Sequence, residues 1–96
     1  MILVRDVFHC KYGKGDEIVA LFKEAGVKWP ERLKVKIMTD ISGQFFTVVT
    51  EDEVESLAAW EERLQEILST PEFGEWFGRM TPLVEKGHRE FYNIVE

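Results

Sequence analysis

The spacing of apolar residues predicts a strand followed by a helix in the first part of the chain. Residues 2–9 are rich in β-branched and aromatic side chains, and their apolar members fall on both alternating faces. Such a strand is covered on both sides. After a glycine turn, apolar residues recur at helical spacing, namely Ile18, Leu21, Phe22 and Ala25. Asp16 favours the start of this helix and Gly26 its end, which predicts a helix over 15–25.

The middle of the chain predicts an antiparallel hairpin. A second strand is predicted over 33–40 and a third over 45–55, because the residues between them, Ile41-Ser42-Gly43-Gln44, favour a tight turn. The turn sets a register in which Lys36 faces Val49.

The second half of the chain predicts two helices and a last strand. Ser56 is suited to cap a helix whose apolar stripe is Leu57, Trp60, Leu64, Ile67 and Leu68. Thr70 is suited to cap the next helix, and Pro71 fits its first position, where proline loses only an amide that had no partner. The stripe of this helix is Phe73, Trp76, Phe77 and Met80. Gly87 is predicted to precede a last strand over 88–95.

The resulting order of elements, β-α-β-β-α-α-β, is the split ferredoxin-like arrangement with one extra short helix. We therefore expect an α+β fold in which a four-stranded antiparallel sheet carries its helices on one face. Ninety-six residues fit one domain, 1–96. A chain of this size buries only about 60 to 65 % of its unfolded surface, so the surface of a partner would add stability.

Charge and composition exclude several classes of partner. Twelve Lys and Arg against eighteen Asp and Glu give a net charge of −6, which disfavours nucleic acid. The apolar stretches are far shorter than the roughly 20 residues that span a bilayer, so we expect no membrane partner and no secretory signal. The single cysteine, Cys10, cannot form an internal disulfide, and we expect a cytoplasmic protein.

Several segments resemble known families. The first half resembles the strand, glycine turn and helix that open NIPSNAP-like domains, in Asp6-Val7-Phe8-His9-Cys10-Lys11-Tyr12-Gly13-Lys14 and Leu21-Phe22-Lys23-Glu24. The second half resembles these domains and the antibiotic biosynthesis monooxygenase group, in Ser56-Leu57, Pro71-Glu72-Phe73 and Trp76-Phe77. Both groups belong to the dimeric α+β barrel superfamily. The resemblance implies a homodimer whose sheets pack face to face, with the helices outside and a cavity within or beside the barrel.

The chain also departs from these families at positions that matter for chemistry. The NIPSNAP pattern usually has Arg in place of Asp6 and Tyr in place of Phe8. Haem-degrading members place Asn on the first strand, where this chain has Asp6 or Phe8. The resemblance therefore transfers no catalytic residue, and we expect no cofactor.

A candidate ligand-binding site follows from pairing the first strand with the last. If His9 faces His88, Arg5 faces Tyr92, and one sheet face gathers Arg5, His9, His88, Glu90 and Tyr92. Two imidazoles beside a carboxylate are suited to proton transfer near neutral pH or to binding a divalent metal. The alternative is a structural polar cluster in which Glu90 or Tyr92 satisfies the hydrogen-bonding groups of Arg5. We expect no metal at this site.

Three classes of function stay open. The first is a protein that binds a small, partly apolar molecule in a cavity on the sheet face. The second is a cofactor-independent monooxygenase or related small-molecule enzyme, which a cavity holding Arg5, His9 and Tyr92 would favour. The third is a structural dimer with a filled barrel. A cavity filled by aromatic and methionine side chains would favour this third class. The side chains concerned are Phe8, Met38, Phe46 and Phe91.

Overall fold

The structure, a computed structural model, describes residues 1–28 and 35–96. The elements follow the predicted order, with a 3₁₀ turn before the last strand. Their bounds are β1 Ile2–Cys10, α1 Gly15–Lys28, β2 Lys36–Thr39, β3 Thr47–Val54, α2 Leu57–Leu68, α3 Pro71–Met80, the 3₁₀ turn Thr81–Leu83 and β4 Val84–Asn93. The strands form one four-stranded antiparallel sheet in the order β2-β3-β1-β4. The predicted α+β, ferredoxin-like fold is confirmed.

The core lies between one face of the sheet and the helices. Its largest cluster of buried residues is Cys10, Ile18, Leu21, Val48 and Met80. The ring of Phe22 contacts both Phe8 and Trp76, at centroid distances of 5.2 and 5.3 Å. The indole Nε1 of Trp76 donates a 2.8 Å hydrogen bond to the Leu21 carbonyl, so α3 is tied to α1 by a polar contact as well as by packing. Burial raises the pKa of the Cys10 thiol.

Both predicted helix caps are present. The Ser56 hydroxyl accepts from the amide of Ala59 at 3.1 Å, and the Thr70 hydroxyl accepts from the amide of Phe73 at 3.3 Å. Pro71 occupies the first turn of α3 as predicted. These contacts fix where α2 and α3 begin, and so how both helices lie over the sheet.

Two glycine predictions are wrong. Helix α1 continues through Gly26 to Lys28, because Gly26 keeps helical geometry instead of turning into a left-handed cap. Strand β4 begins at Val84, so Gly87 lies inside it and does not precede it. A Cβ on Gly87 would stand 2.7 Å from the carbonyl oxygen of Val7, so this glycine permits a close approach of β4 to β1.

The hairpin differs from the prediction in length and register. Strand β3 begins at Thr47, because Phe46 has a φ of 57° and leaves the extended conformation. The loop therefore spans 40–46. Lys36 pairs with Glu51, where Val49 was expected. This is a shift of two residues, which keeps each side chain on its face of the sheet. Of the predicted second strand, residues 33 and 34 lie outside the described residues.

Along residues 1–28 and 35–96, no helix combines the length and the apolar character that crossing a membrane requires.

Candidate functional site

One face of the sheet carries no helix in the described part of the chain. Val4 and Cys10 of β1 are buried under the helices, so the residues that alternate with them point to the opposite side. We call this opposite side the open face. Its residues on β1 are Leu3, Arg5, Val7 and His9, and their neighbours on β4 are Lys86, His88, Glu90 and Tyr92.

The open face gathers all five predicted site residues, but in a different register. Arg5 is opposite Glu90, Val7 is opposite His88, and His9 is opposite Lys86. The expected pairing of His9 with His88 is therefore wrong by two residues, because β4 begins earlier than predicted. Since side chains alternate with a period of two, the shift moves partners along the face and leaves them on it.

Glu90 is the centre of a hydrogen-bonded polar network on this face. The Tyr92 hydroxyl donates to Glu90 Oε1 at 2.7 Å, and Nε2 of His88 lies 2.7 Å from Glu90 Oε2. Nη1 of Arg5 lies 3.8 Å from Glu90 Oε1, and the guanidinium stands over the Tyr92 ring at 5.7 Å from its centroid. Four of the five predicted residues thus contact one another directly.

Arg5 has a second carboxylate partner that the sequence analysis missed. Its Nε donates to Glu51 Oε2 at 2.7 Å, across the pairing of β1 with β3. The signal was present, because Glu51 lies on a predicted strand and β1 is flanked by two strands in a ferredoxin-like sheet. Arg5 is therefore held between Glu51 and Glu90.

His9 stands apart from Glu90, at the end of the open face. Its Nδ1 lies 3.4 Å from the Thr47 hydroxyl, and its ring lies 6.2 Å from that of His88, measured between centroids. In the described chain, no three His, Cys, Asp or Glu side chains converge as metal ligands. The arrangement fits hydrogen bonding to a ligand and the relay of a proton between imidazoles and carboxylate.

The network shifts the acidity of its members. Hydrogen bonds, first from Tyr92 and then from His88, lower the pKa of the Glu90 carboxyl. The same bond raises the pKa of the Tyr92 phenol, because ionisation would place two negative charges side by side. The hydrogen bond to Glu51 raises the pKa of the Arg5 guanidinium. At neutral pH the open face therefore presents an ionised Glu90 that accepts from a neutral Tyr92.

We expect Tyr92→Phe to raise the pKa of Glu90 towards its ordinary value of 4.5, because the largest cause of the lowering is lost. In the wild-type protein, the ionised carboxylate stabilises the fold above pH 4.5, and this contribution is lost as the pH falls through the lower folded pKa. A ¹³C NMR titration of the Glu90 carboxyl measures the shift. Tyr12→Phe is the control, since Tyr12 lies outside the network. An unchanged Glu90 titration in Tyr92→Phe would contradict the assignment.

Apolar side chains surround the network on the open face. Val7 of β1 lies opposite Val49 of β3, and Val49 lies opposite Met38 of β2. Leu3 lies on the same face, between Glu53 of β3 and Tyr92 of β4. A shallow depression of about 200 Å³ is lined by Leu3, Lys36 and the acidic residues of β3. The open face thus combines an apolar surface with fixed polar groups, as ligand sites do.

A second, smaller cavity lies on the helix side of the sheet and is closed by ion pairs. Its volume is about 100 Å³. Arg89 forms two hydrogen bonds to the Asp6 carboxylate, at 2.6 and 3.2 Å, and its guanidinium stacks 5.0 Å from the centroid of the Trp60 ring. Arg63 pairs with Asp52 at the same cavity. These pairs join α2 to the sheet, so we assign the cavity a structural role.

Comparison with known proteins gives matches of structure but not of sequence. No family model matches the sequence, and no curated protein matches it. An uncharacterized NIPSNAP domain protein from Burkholderia xenovorans superposes with a TM-score of 0.85 at 15 % identity, covering 99 % of this chain and 95 % of its own. A NIPSNAP family protein from Agrobacterium tumefaciens strain C58 gives a TM-score of 0.85 at 18 % identity, covering 96 % and 90 %.

A structure of an antibiotic biosynthesis monooxygenase also superposes over its full length. The TM-score is 0.74 at 17 % identity, and all of both chains is covered. Identities this low bear on the fold alone. The chain therefore has the fold that NIPSNAP-family proteins share with an antibiotic biosynthesis monooxygenase, as its sequence resemblance predicted.

Proposed function

We propose that the protein is a homodimer joined through the open face, and that it binds a small, partly apolar molecule between the two sheets. The observation that supports this most is the composition of the open face. Apolar side chains of β1 and β3 stand around the Glu90 network with no helix over them in the described chain. A strand with apolar residues on both faces is normally covered on both.

The charges of the open face suit a self-complementary interface. In a twofold dimer the same patch meets itself, so each cation needs an anion within the same patch. The open face carries Arg5 and Lys36 together with Glu51 and Glu90, and Arg5 is already paired. A face of mixed sign with an apolar component can meet a copy of itself without like-charge repulsion.

The network also suggests which chemical groups the ligand carries. His88 and Tyr92 are exposed, and both hold a hydrogen bond to Glu90 that fixes their positions. Preorganised polar groups of this kind orient a ligand, whereas the surrounding Leu3 and Val7 supply apolar contact. The ligand that fits is a small molecule with an apolar body and one hydrogen-bonding group.

A small-molecule enzyme is the second candidate, and one geometric feature favours it. The carboxylate of Glu90 holds the imidazole of His88 at 2.7 Å, an arrangement that fixes a tautomer and supports proton transfer. The third class, a barrel filled by aromatic side chains, has less support. Phe8 packs on Phe22 of α1, and Phe91 packs on Trp60 of α2, so both rings lie on the helix side.

The dimer is tested by placing a charge in the middle of the open face. Val7→Asp is expected to weaken self-association at least about 100-fold, because taking a carboxylate out of water into an apolar interface costs several kcal/mol. Native mass spectrometry and light scattering measure the change. Leu57→Asp is the matched control, since Leu57 is an exposed residue of α2 and not of the open face. A wild-type monomer at micromolar concentration would refute the dimer.

The ligand is tested by native mass spectrometry of the gently purified protein. We expect the dimer to carry extra mass, and we expect the double variant His88→Ala with Tyr92→Ala to stay dimeric without it. Once the released molecule is identified, incubating it with the protein separates binding from turnover. An enzyme converts the molecule, whereas a binding protein returns it unchanged. A double variant that retains the same extra mass would place the ligand elsewhere.

A further inference from the structure

A second candidate binding site lies where two loops meet beside the start of α1. The loop after β1 contributes Tyr12, and the loop between β2 and β3 contributes Phe45 and Phe46. They line an open-sided cavity of about 450 Å³, a volume within the range of small-molecule sites. Val48, buried in the core on the helix side, also lines this cavity, and so does Thr47, whose hydroxyl contacts His9 at the end of the open face.

The ring of Tyr12 stands at steep angles to the rings of Phe45 and Phe46. The ring of Tyr12 meets that of Phe46 at a centroid distance of 4.8 Å and an interplanar angle of 68°. It meets the ring of Phe45 at 6.2 Å and 85°. Edge contacts of this kind leave ring faces available to a guest. Tyr12 is 78 % exposed and Phe45 68 %, so water now covers apolar surface that a guest would cover.

The backbone that presents these rings is unusual. Phe46 has a φ of 57°, in the left-handed region that a bulky residue rarely adopts. Specific bonds hold it there: its carbonyl accepts from the amide of Cys10 at 3.0 Å, and the amide of Thr47 donates to Asp40 Oδ1 at 3.0 Å. The loop is thus fixed in a strained conformation that places Phe45 and Phe46 at the cavity.

The charged groups at this cavity are acidic. Asp16 and Asp40 line it, and neither forms an ion pair with any described residue. No lysine or arginine of the described residues lines it. Lys14 is on the same loop as Tyr12, and its Nζ lies 3.7 Å from Glu17 Oε1, so it has a carboxylate partner of its own. The site therefore combines aromatic walls with two carboxylates that form no ion pair with a described residue.

We infer that this cavity binds a small organic cation, of the alkylated ammonium type. An ammonium carrying methyl groups is attracted to ring faces by their quadrupole, and its apolar surface is covered by the same rings. Asp16 and Asp40 add charge complementarity, which a neutral guest would not use. No member of the Glu90 network lines this cavity, so the inference does not rest on the dimer proposed above.

Choline and its neutral isostere, the alcohol in which a carbon replaces the nitrogen, test the inference directly. In an amide NMR titration of the wild-type protein, choline is expected to shift Gly13, Gly15 and Thr47. The isostere is expected to bind about fivefold or more weakly, because it lacks the cation. Equal binding of the two compounds, or no shift with choline at millimolar concentrations, overturns the inference.

Substitutions at the site separate charge from aromatic contact. Tyr12→Ala is expected to weaken choline binding about threefold to tenfold, and Tyr12→Phe is expected to retain it. Asp40→Asn keeps an oxygen for the Thr47 amide but removes the charge, and is expected to weaken choline binding without affecting the isostere. Phe77→Ala is the control, an exposed ring on α3. Undiminished choline binding in both Tyr12→Ala and Asp40→Asn contradicts the site.

Discussion

Gly87→Val is expected to separate β4 from β1 and to lower the free energy of unfolding by about 3 kcal/mol. A Cβ at this position would stand 2.7 Å from the carbonyl oxygen of Val7. The obstacle is backbone, so no rotation of a side chain relieves it, and the two strands must move apart. The contacts of Arg5 with Glu90 and Tyr92 depend on this pairing and are lost with it. Urea denaturation measures the loss.

Gly78→Ala is the matched control for this prediction. Gly78 lies in α3, and a Cβ there would meet nothing within 4 Å. Alanine is expected to stabilise the helix by about 0.5 to 1 kcal/mol, because glycine is a poor helix former. If Gly87→Val kept the wild-type free energy of unfolding while Gly78→Ala raised it, the close approach of β4 to β1 would be refuted.

Ile18→Ala is expected to lower the free energy of unfolding by about 3 kcal/mol, out of a total of roughly 5 to 15 kcal/mol for a chain of this length. Ile18 is 0 % exposed and lies in the core between α1 and the sheet. Removal of its side-chain carbons leaves a cavity that the close-packed neighbours fill only in part. The melting temperature is expected to fall by about 10 to 20 °C, as measured by circular dichroism.

The comparison for Ile18 is Leu57→Ala, at a leucine that is 55 % exposed. It removes a side chain of the same size from a helix, but more than half of the surface of Leu57 is already exposed to solvent. We expect a change of less than about 1 kcal/mol. If Ile18→Ala and Leu57→Ala lowered the free energy of unfolding equally, the core would not lie where α1 meets the sheet.

Local patterns predicted the elements well, because each was encoded by neighbouring residues. Ser56 and Thr70 cap the helices as expected, since a cap depends on a hydroxyl and an amide three residues on. Glycine was harder to interpret. Gly26 was expected to end a helix and Gly87 to precede a strand, but the need for a small residue at Gly87 comes from Val7, 80 positions away in the sequence.

The candidate site was predicted at the level of the sheet face but not of its contacts. Alternation along β1 and β4 placed Arg5 and Glu90 on one face, and this placement tolerates a register shift of two residues. The partners themselves depend on the register, which long-range packing sets. That is why Arg5 was expected opposite Tyr92 and is opposite Glu90, and why Glu51 was missed.

The burial of Cys10 gives the protein an internal reporter of its own fluctuations. Cys10 is the chain's single thiol, it is 5 % exposed, and burial raises its pKa. An alkylating reagent reacts with the thiolate, so it can modify Cys10 only when the end of β1 opens to solvent. The rate of alkylation therefore measures how often that opening occurs. Ligands that close the adjoining loops should slow the labelling reaction in proportion to their occupancy.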